Sequence, residues 1–269
     1  MMRILVPLKW SALRTEVDPL TGSASVTPGR FGSDPASLAA LAWALRLEGE
    51  VTVVTIGPIA AEAGLREALA LGAEAALRIE GPADPEPLEV AAALAPLAAD
   101  ADLVVLGARS VDRGSAAVAP ALAALLERPG ACGLLDVAWD GDRLAAERRL
   151  PAGRRERVRV SLPAVVSVEA GTIELRRAAL PAILEASNAA IEVLTPDHAP
   201  VADSATTVVP YRPRPRNAPP PPEGEQLRDR IASLSGALDA GSRARTVELP
   251  PEEAAAEIVA SLRRWGYLE

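Results

Sequence analysis

A chain of 269 residues can bury a sizeable core, and its length suits one large α/β domain or one domain with an extension. Hydrophobic residues make up 49% of it, which excludes disorder of the whole, while aromatics at 3% point to helices packed closely on a sheet rather than an aromatic-rich sandwich. The net charge of -8 argues against a nucleic-acid binder, whose footprint is a basic patch or stripe.

The opening MMRILVPLKW runs straight into a strand-like stretch and is too short and too quickly charged for a signal peptide. No apolar run is long enough to span a bilayer, so the expectation is a soluble protein without membrane insertion. The single cysteine, Cys132, cannot form an internal disulfide; its apolar neighbours suggest a small buried side chain in a reducing, cytoplasmic setting.

Residues 3–8 read as a strand covered on both faces that ends near Pro7, which cannot donate to a ladder. Turn signals through residues 10–32 predict a long loop or a hairpin. A helix follows, capped by Asp34 with Pro35 in its first position and a stripe of Leu38, Leu41 and Leu45. Residues 51–56 form a second strand, and Gly57-Pro58 opens a helix with Leu65, Ala68 and Leu69 on its apolar face, ending at Gly72. Residues 75–79 are a third strand, 87–99 a helix despite Pro96, and 103–106 a fourth strand. This βαβαβαβ alternation demands a parallel sheet with right-handed crossovers.

The stretch 103–120, LVVLGARSVDRGSAAVAP, is strand, polar loop and, from Ser115, helix. In an open parallel sheet that junction borders a crevice where backbone N–H groups can meet an anion, so the loop reads as a nucleotide-phosphate loop, or else as a plain β–α connection with small residues. Beyond Gly130 the pattern changes to shorter strands at 134–139, 143–148 and 157–161, separated by turn signals, and then a buried run at 164–168. The fold expected is α/β, a mostly parallel sheet with helices on both faces, adenine-nucleotide alpha-hydrolase-like, with an antiparallel appendage and a C-terminal arm. The α/β domain occupies 1–195, a Pro-rich linker 196–224, and a helical arm 225–269 with helices at 225–238 and 251–265. The second helix carries acids at its start, Arg263-Arg264 at its end and an apolar face of Ile258, Leu262 and Trp265, suited to docking on another subunit or back on its own domain.

Self-contained catalytic chemistry is missing from the sequence. There is no Gly-Lys-Ser/Thr phosphate loop, no GxGxxG, and no GxSxG elbow. One histidine, His198, and one cysteine cannot build a histidine-cysteine metal cage. Binding is favoured over catalysis, and no metal site is expected.

Taken in order, RILVPLK, TEVDPLTG, DPASLAALAWAL, TIGPIAAEAGLREALALGA, GARSVDRGSAAVAP and VRVSLPAVVSV followed by RAALPAIL give the chain a resemblance to the beta subunit of electron transfer flavoprotein, over residues 2 to about 195. The resemblance implies a heterodimer with an alpha subunit that holds a redox-active FAD, carrying electrons from flavin dehydrogenases to a quinone reductase. It also implies an adenine nucleotide in this chain, AMP in ordinary members and a second FAD in bifurcating ones. Carried over position by position, the nucleotide pocket comprises Pro7, Asp34, Pro35, Ala36, Ser37 and Ile56, together with Gly107, Ala108, Arg109, Ser110, Val111, Asp112, Arg113, Gly114, Ser115, Ala116, Ala117 and Val118. Leu180 beside Pro181 falls where the family inserts an anchoring leucine into its dehydrogenase partner; the alternative is an ordinary core leucine.

Departures from the family pattern include Ala36 for an aromatic, Arg14 for the aromatic that leans on the flavin, and Pro151-Ala152-Gly153-Arg154-Arg155 for an acidic cluster. They suggest a divergent member, of the mycofactocin-associated type, whose nucleotide would be held mainly by backbone amides and in which AMP could be lost or replaced. Two other classes remain beside this reading. One is a nucleotide-binding regulatory protein of the universal-stress type. The other, an ATP-pyrophosphatase-like amidating enzyme, is opposed by Pro7-Leu8-Lys9 where a serine-glycine-glycine loop would stand.

Overall fold

The computed structural model describes residues 1–18, 23–26, 30–140, 142–195, 226–234 and 248–268. His198 and the Pro-rich linker 196–224 lie outside the described residues. The chain divides into two compact units, Met1–Arg212 and Pro213–Glu269.

The first unit opens with β1 (Arg3–Pro7), β2 (Trp10–Ala12), β3 (Glu16–Val17), β4 (Ala24–Ser25) and β5 (Phe31–Ser33), then α1 (Pro35–Arg46). Next come β6 (Glu50–Gly57), α2 (Glu62–Leu71), β7 (Ala75–Glu80), α3 (Pro87–Ala99), β8 (Leu103–Gly107) and α4 (Val118–Leu125). It continues through β9 (Gly130–Asp140), β10 (Arg143–Arg149), β11 (Arg155–Ser161), β12 (Ala164–Val168), α5 (Leu180–Ser187) and β13 (Glu192–Leu194). Among the described residues the main sheet has nine strands in the order β11-β10-β9-β12-β8-β1-β6-β7-β13. Strands from β13 to β12 run parallel, and β9, β10 and β11 are antiparallel. The appendage is therefore an extension of the same sheet, joined through the parallel pairing of β12 with the start of β9.

Alternation of side chains along the strands builds a core on each face. Ile4, Val6, Val51, Val53, Leu103, Val105, Val166 and Val168 pack with α1 and α2 residues such as Leu41, Trp43 and Leu65. Leu5, Val54, Val104, Leu106 and Val165 pack on the opposite face with Leu94 of α3 and Leu122 of α4. The helices change face between α2 and α3 because the chain adds β6 and β7 on one side of β1 and returns to place β8 on the other. The boundary between β1 and β8 is therefore the topological switch point, where ligand crevices form beyond the strand ends.

Several expectations need correction. Helix α1 buries more than the expected stripe of Leu38, Leu41 and Leu45: of these only Leu41 is fully buried, and Ala36, Ser37, Ala39, Ala40, Ala42, Trp43 and Ala44 are buried with it. The sheet covers one side, and the opposite side is closed by later segments, with Trp43 Nε1 donating to Thr172 Oγ1 at 3.1 Å and Trp139 Nε1 donating to the Leu47 carbonyl at 3.1 Å. Helix α4 begins at Val118 rather than Ser115, because Gly114 and Ala116 hold positive φ of 61° and 56°, outside helical geometry. Cys132 lies on β9 with intermediate exposure rather than buried. In the described part of the expected loop or hairpin, β2 pairs antiparallel with β5 and β3 with β4.

The second unit has α6 (Leu227–Leu234) and α7 (Pro251–Arg264), the latter with Glu252 and Glu253 in its first turn and Arg263 and Arg264 in its last, matched to the helix dipole. Residues 225 and 235–238 of the first expected helix lie outside the described residues. No described helix is long and apolar enough to cross a membrane.

Candidate functional site

The carboxyl ends of β1 and β8 stand side by side, and three short segments converge there. Pro7 is the last residue of β1, and the next residue, Leu8, donates its N–H to the Val54 carbonyl at 2.7 Å, one further bond between the ends of β1 and β6. The Lys9 N–H then donates to Ser37 Oγ at 3.1 Å, and the Asp34 N–H to the Lys9 carbonyl at 2.9 Å, which brings the start of α1 against the same strand ends.

Asp34, only 1% exposed, organises the junction. One carboxylate oxygen accepts from the Ala36 N–H at 2.9 Å as the N-cap of α1. The other accepts from the Val111 N–H at 2.8 Å and the Ser11 hydroxyl at 3.3 Å, fastening the loop after β8 and the arm of β2 to the same side chain. Gly107 is required by packing: a Cβ there would lie 2.7 Å from the Ala36 carbonyl carbon and 2.8 Å from the Ser37 nitrogen, so only glycine lets α1 approach β8 this closely.

The loop of residues 108–117 is tied at both flanks. Lys9, the single lysine of the sequence, reaches Asp112 at 2.6 Å and Ser110 Oγ at 3.3 Å. Burial pushes the Asp112 carboxyl up, but the hydrogen bonds from Lys9, Ser110 and the Arg113 N–H outweigh it and hold the group below the usual aspartate range. On the other flank Arg113 pairs with Asp84 and Glu86, each at 2.8 Å, in the connection from β7 to α3. Those two carboxylates raise the Arg113 pKa further above its ordinary value.

Between these segments lies a largely apolar cleft of about 120 Å³. Of the residues expected from sequence, Pro7, Asp34, Ser37, Ile56, Gly107, Ala108, Arg109, Ser110, Arg113, Ser115, Ala116, Ala117 and Val118 line it. Pro35, Ala36, Val111, Asp112 and Gly114 do not; Pro35 and Ala36 start α1, Val111 and Asp112 make the loop-fastening contacts already described, and the Gly114 N–H donates to Ser110 Oγ at 3.4 Å. Sequence reasoning missed Leu8, Lys9, Trp10, Val54, Leu106 and Ala119, and a whole wall from Ala83, Pro85, Pro87, Val90 and Leu94. The segment GPADPEP after β7 offered a signal, since in a parallel sheet the exit of a strand near the switch point borders the crevice.

Leu180 and Pro181 form the first turn of α5, where Leu180 is 67% exposed and joins Ile183 and Leu184 in an exposed apolar stripe at helical spacing. Only Ala186 of this helix is buried. Arginines grip both ends of the pairing with α2: Arg66 Nε donates to the Ser187 carbonyl at 3.2 Å, and Arg176 to the Leu71 carbonyl at 2.6 Å. Glu62 bridges Arg66 and the buried Arg78, each at 3.0 Å. Burial raises the Glu62 pKa, and the two guanidiniums more than reverse it. Among the described residues no group of three or more His, Cys, Asp or Glu is placed to hold a metal.

Residues 30–199 match the family model of the electron transfer flavoprotein domain. The human electron transfer flavoprotein subunit beta is 34% identical over 157 residues, 56% of this chain and 61% of the human protein. The pig protein of the same name is 36% identical over 155 residues, 55% of this chain and 60% of its own length. The subunit from Dictyostelium discoideum is 28% identical over 206 residues, 73% of this chain and 82% of that protein. The chain thus spans about three fifths of the length of the mammalian relatives it matches.

Proposed function

Because the chain belongs to the electron transfer flavoprotein family, as a divergent member of the beta-subunit type, we propose that it is the beta subunit of a heterodimeric electron carrier. In this reading it associates with an alpha subunit that holds most of the FAD, accepts electrons from flavin dehydrogenases and delivers them to a quinone reductase. A cytoplasmic location goes with this role. The observation that carries the reading is the cleft at the β1–β8 switch point, coinciding with a family match over residues 30–199.

The residues present fit an adenine nucleotide. Ile56, Val90 and Leu94 offer apolar walls for a flat ring system. The first turn of α4 has N–H groups without intrahelical acceptors, which suit a phosphate near Ala117 and Val118, with Arg109 at the cleft. Pro120 lacks an N–H, so the donors are concentrated at Val118 and Ala119. Asp34 acts behind the ligand, since both of its oxygens already hold backbone or hydroxyl donors. The FAD supplies the electron chemistry; this chain orients the partner, presents Leu180 and Pro181 to the dehydrogenase, and encloses its nucleotide, AMP or a replacement.

Mass spectrometry of small molecules released from the purified chain, with and without a coexpressed alpha subunit, tests the proposal. An adenine nucleotide in both samples and FAD in the second support it. A self-associated protein carrying ATP and no flavin partner replaces it with a regulatory nucleotide-binding protein.

A further inference from the structure

Five charged groups tie the loop beside the cleft, one pair on one flank and a cluster of three on the other. On one flank Lys9 holds Asp112; on the other, Asp84 and Glu86 hold Arg113. Arg113 is engaged threefold, because its Nη2 also donates to the Asp84 carbonyl at 3.3 Å. The receiving side is rigid: Glu86 is the N-cap of α3, in a reciprocal capping box with Glu89, so Arg113 is tied to a fixed helix end. The loop itself is held in an unfavourable shape. Gly114 and Ala116 both have positive φ, 61° and 56°, and for alanine that conformation is costly. Both residues lie immediately beyond the Arg113 attachment.

Loop residues Arg109, Ser110, Arg113, Ser115, Ala116 and Ala117 line this cleft of about 120 Å³, so where the loop stands governs access to it. We propose that residues 112–117, beyond the Val111 N–H that stays fixed on the buried Asp34 carboxylate, are a latched lid, closed by Arg113 on Asp84 and Glu86 and by Asp112 on Lys9, and that a nucleotide enters only when the Arg113 latch opens. This rests on the nucleotide reading above. Arg113, Asp84 and Glu86 are all partly exposed, so salt weakens the latch.

The single lysine provides a readout that needs no ligand. If the lid moves as a unit, opening the Arg113 flank frees Lys9 from Asp112. In the full-length chain, the pair Asp84→Asn with Glu86→Gln removes the latch charges while leaving Glu86 able to cap α3. The rate of acylation of Lys9 by an amine-reactive ester, read by mass spectrometry, should rise about three- to tenfold in this variant, as expected for losing two partly exposed ion pairs. Added salt should raise the wild-type rate more steeply than the variant's, in which only the Lys9–Asp112 pair remains to be screened. Association of a fluorescent AMP analogue, followed by stopped flow, should accelerate by a similar factor. Ala116→Gly, which relieves the strained residue without touching a charge, should leave the salt dependence in place.

Unchanged Lys9 acylation in the charge variant overturns the lid. Faster acylation with an unchanged association rate overturns its role in admitting the ligand. Failure of the AMP analogue to bind any variant removes the nucleotide reading while the acylation result still decides whether the latch exists.

Discussion

Asp34 and Val111, separated by 77 positions, are joined by a 2.8 Å hydrogen bond from the Val111 N–H to the buried carboxylate that also caps α1. One side chain thus fixes both the start of a helix and the far loop of the cleft. Asp34→Ala leaves two backbone donors without their acceptor and should destabilise the chain by about 2–4 kcal/mol in urea denaturation. Asp34→Asn keeps acceptor capacity and should cost less than half as much.

Gly107 tests the packing beneath the same loop. Gly107→Ala drives a methyl into the backbone of Ala36 and Ser37, neither of which is the end of a flexible side chain. A loss of about 1–3 kcal/mol is expected, read as a lowered Tm. An unaltered Tm would mean that α1 can retreat from β8.

The Glu62 network separates a buried charge from its partners. Arg78 is 7% exposed, and Glu62 is its carboxylate partner. Glu62→Ala leaves that guanidinium with only the Gly57 carbonyl and should cost about 3–5 kcal/mol. The double change Glu62→Met with Arg78→Met should recover most of the loss.

Asp112 gives a pH dependence of known sign. Its folded pKa lies below the ordinary value of 3.8, so its contribution is fully present above that value and disappears as pH falls through the folded one. The stability difference between wild type and Asp112→Asn should therefore be present at pH 7 and shrink towards zero only as pH falls below the ordinary aspartate value.

Leu180 is exposed, so Leu180→Ala should change stability by less than about 0.5 kcal/mol while slowing electron transfer from a flavin dehydrogenase to the heterodimer. A large stability loss would return it to a packing role.

Much of the parallel half was legible because its strands are continuous apolar runs and its helices carry local signals, such as Asp34-Pro35 and Gly72. The burial of α1 on nearly all sides was not, since Trp139 and Thr172 cover it from distant parts of the chain. The start of α4 was misplaced for a related reason: Ser115 to Ala117 have helix-compatible identities, and only the closed loop imposes a positive φ on Ala116. The strand-end residues of the cleft could be placed from chain order, but the wall from Ala83 to Leu94 depends on β7 and α3 flanking the switch point. The ion pairs of Arg113 are likewise invisible locally, because their partners lie 29 and 27 positions away.

The most direct measurement is coexpression of the full-length chain with an electron transfer flavoprotein alpha subunit, followed by co-purification and an absorbance spectrum. The account predicts a yellow heterodimer whose bound FAD is reduced by a flavin dehydrogenase and its substrate. A colourless chain that associates with no flavoprotein would contradict it.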